Sequence, residues 1–159
     1  MAPGDRFGFT TIVLAPRIFW SSNSPHTPLV QLAHPGDAPR PRNMYGVCKS
    51  MGETLGRYYS DKFGLSFFAI RLGGVLDTDR PSTRRLFPGW LSQRDLISLI
   101  ELCLSAPPTL QYEVFEAISN NDTKWRDTSH TIDTLGWSVK TTHSLTLALV
   151  AVWCKYMKY

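Results

Sequence analysis

Apolar and polar positions alternate along this chain in two rhythms, one of helices and one of strands. Met44, Val47, Cys48, Met51, Leu55 and Tyr58 recur at three- and four-residue spacing, which is the period of a helix face that packs on a core. Asn43 stands where an N-cap is expected, and Lys62-Phe63-Gly64 supplies a basic last turn with glycine past the end. Leu65–Leu72 is a continuous apolar run broken only by Ser66 and Arg71, as in a buried parallel strand. Gly73-Gly74 ends it and lets backbone or ligand come close. Upstream, Thr10–Ala15 is β-rich and Pro16 interrupts it. Arg17–Trp20 then makes a second short run that closes in Ser21-Ser22-Asn23-Ser24. Such a polar end, at the carboxyl end of a strand, is where ligands sit in open α/β sheets.

The later elements follow the same reading. Ser92 precedes Gln93-Arg94-Asp95 in a near capping-box pattern, and seven apolar residues between Leu96 and Leu104 predict a well-buried helix stopped by Pro107-Pro108. Tyr112–Ile118 alternates as a strand, Asn120-Asn121 turns the chain, and Trp125–Leu135 is a short helix closed by Gly136. Residues 141–159 are expected to be a helical tail and residues 1–17 an irregular leader. The five prolines between Pro25 and Asn43 make that stretch a loop. Strands alternating with helices in this order imply an α/β fold with a mainly parallel sheet.

The long helix carries the candidate chemistry. Tyr45 and Lys49 are four residues apart, so they stand above one another on one face. A tyrosine hydroxyl ordinarily ionises near pH 10 and a neighbouring ammonium favours the phenolate, so such a pair can exchange a proton with a ligand. Tyr45, Lys49, Gly52, Gly56, Tyr59 and Phe63 trace a second stripe beside the apolar one. Two glycines inside a helix cost about 1 kcal/mol each relative to alanine, and close approach of a backbone or cofactor is a reason to accept that.

Composition narrows the field. The 159 residues suit one domain, with 43% apolar and 19% charged residues and a formal net charge of +4. Basic residues pair only at Arg40/Arg42 and Arg84/Arg85, which is no stripe for nucleic acid, although either pair suits a phosphate or carboxylate. Cys48, Cys103 and Cys154 are few and far apart, which fits reduced cysteines in a cytoplasmic protein. The four histidines show no metal-ligand spacing. No apolar run is long enough to span a bilayer, and no signal peptide is evident.

Taken in order, several pieces resemble the C-terminal portion of an extended short-chain dehydrogenase/reductase of the NAD-dependent epimerase/dehydratase family, and uronate dehydrogenases above all. They are Ser21-Ser22-Asn23, Tyr45-Gly46-Val47-Cys48-Lys49, Ile70-Arg71-Leu72-Gly73, Trp90–Leu96, Ser119–Thr123 and Leu135-Gly136-Trp137. The resemblance covers roughly residues 18–140 and implies a partial Rossmann-like, doubly wound sheet with flanking helices. It implies NAD as cofactor and oxidation of a sugar acid to its lactone. Tyr45 would be the catalytic acid/base and Lys49 would hold the nicotinamide ribose. Ser22 would bind the reacting oxygen, Asn23 would line the substrate pocket, and Arg84 or Arg85 would pair with the substrate carboxylate. A homodimer through the helix bearing Tyr45 is also implied. The family's Gly-x-x-Gly-x-x-Gly pyrophosphate turn is not in this sequence, so weak or no turnover is expected from the chain alone. The alternative is a non-catalytic remnant that acts through self-association or a protein partner.

Overall fold

The computed structural model describes residues 11–16, 36–39, 41, 43–81, 86–122 and 124–143. Three parallel strands, β1 (Thr11–Pro16), β2 (Phe67–Leu72) and β3 (Tyr112–Ala117), form a sheet in the order β1-β2-β3. The register pairs Thr11 with Phe67 and Phe67 with Tyr112. Helix α1 (Met44–Phe63) connects β1 to β2, and α2 (Gln93–Leu104) connects β2 to β3. After β3 come β4 (Asn120–Asn121), α3 (Ser129–Leu135) and β5 (Thr142–His143). Parallel neighbours joined through helices are the α/β arrangement expected.

β1 lies inside the stretch 1–17 expected to be an irregular leader, and its pairing with β2 makes it part of the sheet. Pro16 does not interrupt the strand: it is the last described residue of β1 and pairs with Leu72. Asn120-Asn121 was expected only to turn the chain; it pairs in parallel with Thr142-His143. Those two residues are therefore strand rather than the start of a helical tail, and residues 144–159 lie outside the described residues.

All six residues of β2 are buried, because the sheet is covered on both faces. Phe68, Ile70 and Leu72 point into a core with Leu91, Leu99, Cys103, Phe115, Ala117 and Trp137. This is the face covered by α2. Phe67 and Arg71 point the other way, to α1: Phe67 meets Gly56 and Arg71 meets Glu53. Strand periodicity of two thus splits one apolar run between two helical layers.

α1 is held at both ends as its sequence suggests. Asn43 accepts a hydrogen bond from the Gly46 N–H at 2.8 Å, and Gly64 closes the helix at φ 67°, a left-handed conformation that glycine adopts at little cost. Its packing face was not the one expected. Met44, Met51, Leu55 and Tyr58 are 74%, 65%, 56% and 49% exposed, whereas the buried residues are Gly46, Glu53, Gly56 and Ser60. The small residues let the helix lie close on the sheet, which turns the apolar stripe outward. A Cβ on Gly56 would sit 2.2 Å from the Phe67 ring, and that ring is itself stacked on Tyr112 at 5.9 Å. Gly56→Ala is therefore expected to destabilise by up to about 2 kcal/mol in urea unfolding. Overpacking of about 1–3 kcal/mol outweighs the gain of about 1 kcal/mol in helix propensity. A more stable variant would contradict this contact.

α2 starts as predicted, with the Ser92 hydroxyl accepting from the Asp95 N–H at 3.0 Å. Asp95 does not close a capping box. Its buried carboxylate accepts instead from the Ser119 hydroxyl at 2.7 Å and from the N–H groups of Lys140 and Thr141. It ties α2 to the end of β3 and to the approach to β5.

Candidate active site

Residue numbers on α1 rise as those on β2 fall: Glu53 meets Arg71, and Gly56 meets Phe67. The helix therefore runs antiparallel to the strands, and its first two turns reach past Leu72 to their carboxyl ends. Open α/β sheets bind ligands at that end. Tyr45 and Lys49 project from those turns. The Lys49 ammonium lies 5.3 Å from the centroid of the Tyr45 ring, and Tyr45 is 52% exposed. The predicted pair is thus brought together on a rigid support and open to a ligand. Ser22, Asn23, Arg84 and Arg85 lie outside the described residues.

Four charged residues form a buried network with one another that the sequence did not reveal. Glu53 grips Arg71 by two parallel contacts, Nε to Oε1 and Nη2 to Oε2, each 3.0 Å. Arg71 Nη1 donates to Glu116 at 3.3 Å. Arg126 Nη1 donates to Glu116 at 2.5 Å and to the Arg71 carbonyl at 2.6 Å. All four residues are buried, and two carboxylates balance two guanidiniums. The Tyr112 hydroxyl adds a bond to the Glu53 carbonyl at 3.3 Å. Burial pushes the Glu116 carboxyl above its usual range, although Arg126 and Arg71 both pull it down. The available signal was Arg71 itself, since an arginine inside an apolar strand needs a buried partner.

Among the described cysteines, Cys48 is exposed and Cys103 buried. Burial pushes the Cys103 thiol up to about 12. Iodoacetamide at pH 8 is expected to modify Cys48 readily and Cys103 only after unfolding, because the thiolate is the reacting form. Mass mapping of a time course checks this, and early modification of Cys103 would contradict its burial.

A parallel sheet whose strand ends are served by Tyr-x-x-x-Lys on an adjoining helix is the arrangement of short-chain dehydrogenase/reductases, and the chain resembles the C-terminal portion of their NAD-dependent epimerase/dehydratase group. Within that group it is similar to the uronate dehydrogenases. It is 39% identical over 129 residues to uronate dehydrogenase of Agrobacterium fabrum, a match covering 79% of this chain and 47% of the relative. NAD-dependent glucose-6-phosphate dehydrogenase of Haloferax volcanii is also 39% identical, over 64% of this chain and 38% of its own length. The crystal structure of uronate dehydrogenase from Agrobacterium tumefaciens superposes with a TM-score of 0.67 at 33% identity, covering 81% of this chain and 46% of that one. The chain thus spans about half the length of the curated relatives it matches. No family model matches it.

Proposed function

We propose that this chain carries the proton-transfer half of a uronate dehydrogenase-type site, working with NAD on a sugar acid. The carrying observation is the Tyr45–Lys49 juxtaposition at the carboxyl ends of the strands. The similarity to uronate dehydrogenases and a uronate dehydrogenase structure complexed with NAD support it. In this reading the deprotonated phenolic oxygen of Tyr45 takes the proton of the sugar's anomeric hydroxyl as that carbon is oxidised to the lactone. Lys49 hydrogen-bonds the nicotinamide ribose. Ser22 donates to the reacting oxygen, Asn23 lines the pocket, and Arg84 or Arg85 holds the carboxylate by a planar two-point contact. NAD, when bound, supplies the hydride acceptor.

The residues fit this cofactor at its nicotinamide end, where Tyr45 is exposed and Lys49 half-buried. The sequence contains no Gly-x-x-Gly-x-x-Gly turn for the pyrophosphate, and positioning is a large part of such catalysis. Slow or absent turnover is therefore the expected behaviour of the chain alone. NAD reduction with galacturonate and with glucuronate, beside an NAD binding isotherm, tests the reading. Absence of both binding and turnover would remove it.

The exposed face of α1 favours a second reading, self-association through that helix. Met51, Leu55 and Tyr58, with Pro41, Val47 and Cys48, line an open groove of about 670 Å³, and apolar patches of this kind mark contact surfaces. We assign it to a second copy of this chain. Light scattering should give about twice 18.0 kDa, and alkylation of Cys48 should slow as protein concentration rises. A monomer at micromolar concentration would dismiss it. Among the described residues no helix is long and apolar enough to cross a membrane. The free thiols of Cys48 and Cys103 support a cytoplasmic location as part of this proposal.

A further inference from the structure

Among the described residues, no large apolar side chain of α1 is buried against the sheet. Helices normally lock in rotation because apolar side chains interdigitate with the surface below. Here that surface is met by Gly56 and Ser60, and the large apolar residues Met44, Met51 and Leu55 face outward. Glu53 is the one long side chain among the buried residues of α1. It ends in a two-point contact with the planar Arg71 guanidinium, which restrains direction as well as distance. Glu53 also follows Lys49 by four residues and Tyr45 by eight. At 3.6 residues per turn each step of four is offset by only about 40°, so whatever fixes the azimuth of Glu53 fixes that of the site.

We propose that Glu53 and Arg71 are positioning residues of the Tyr45/Lys49 site, setting the rotation of α1 and hence the direction in which the pair projects. Glu116 and Arg126 complete the device. Glu116 holds the remaining Nη1 of Arg71, and Arg126 binds both Glu116 and the Arg71 carbonyl. The fork is thereby anchored to β3 and to the segment before α3. Buried ion pairs contribute little net stability compared with apolar residues of similar size, and their use in specifying a geometry is attested in some proteins. The proposal rests on the dehydrogenase reading only for what the site does; the orientation of the helix is independent of it.

The double variant Glu53→Met/Arg71→Met separates positioning from stability, because it removes one charge of each sign and leaves Glu116 with Arg126. Its melting temperature is expected to match or exceed that of the wild type. Residual dipolar couplings of the backbone amides then report orientation. In the wild type, the couplings of α1, β2 and β3 should fit one alignment frame. In the double variant, those of α1 should shrink or require a different orientation while the sheet is unchanged, and uronate-dependent NAD reduction should fall in kcat rather than rise in KM. Unchanged α1 couplings in the folded variant would overturn the proposal. So would failure of the double variant to fold, which would make the pair a folding element. A wild type with neither NAD binding nor turnover removes the dehydrogenase reading and leaves the couplings to decide this one.

Discussion

Arg126→Met is expected to lower the unfolding free energy by about 3–5 kcal/mol at pH 8, the usual cost of breaking a buried ion pair from one side. Arg126 is 2% exposed, and its Nη1 serves two acceptors, the Glu116 carboxylate at 2.5 Å and the Arg71 carbonyl at 2.6 Å. Methionine fills the space of the stem but leaves, among the described residues, two buried carboxylates, Glu53 and Glu116, facing one guanidinium, that of Arg71. Glu116 then has a second course open to it, which is to bind a proton. Burial already holds its carboxyl above the ordinary value of 4.5, and losing Arg126 raises it further. A carboxyl with a higher value in the folded than in the unfolded state keeps its proton better when folded. Stability from that proton is complete below the unfolded value and is lost as pH rises through the folded one. The variant should therefore lose less stability at pH 5 than at pH 8, as read by urea unfolding at both. An equal loss at the two values would show that Glu116 stays ionised, and a loss under about 1 kcal/mol would show that the Arg126 contacts do not hold the quartet.

The residues behind this network show where a reading of sequence reaches and where it stops. The ends of α1 were legible because caps are local: Asn43 and Gly64 do their work within a few residues of the helix. The run Leu65–Leu72 announced a buried strand, and Phe67–Leu72 is one. The packing face of α1 was misread because periodicity locates an apolar stripe without saying what covers it. The stripe holding Met51 and Leu55 faces outward, while the sheet is met by a glycine, a serine and a carboxylate whose partner lies 18 residues away. Asp95 had a local explanation, the capping box, and a non-local use prevailed, since Ser119, Lys140 and Thr141 come to it only through the fold. The β4–β5 ladder is two residues long on each side and leaves no pattern to detect. Of the candidate site, the juxtaposition of Tyr45 and Lys49 was legible because one helix carries both. Ser22, Asn23, Arg84 and Arg85 lie outside the described residues.

Tyr45→Phe is expected to reduce whatever uronate-dependent NAD reduction the chain shows by about 10²–10⁴-fold, the range that a positioned general acid or base supplies. The substitution deletes one oxygen and little else. The ring remains, so the Lys49 ammonium keeps its place 5.3 Å from the ring centroid, an interaction of about 0.5–1 kcal/mol at an exposed site. Tyr45 is half exposed and lies on the first turns of a helix capped by Asn43, so stability should change by less than about 0.5 kcal/mol. A fall in rate with an unchanged unfolding curve therefore reports chemistry rather than damage to the fold. NAD affinity should change little, because it is Lys49 that reaches the ribose in this reading, and the loss should appear in kcat. A phenylalanine variant as fast as the wild type would release Tyr45 from proton transfer. A variant that loses NAD binding together with turnover would instead make Tyr45 a cofactor contact and place the base elsewhere.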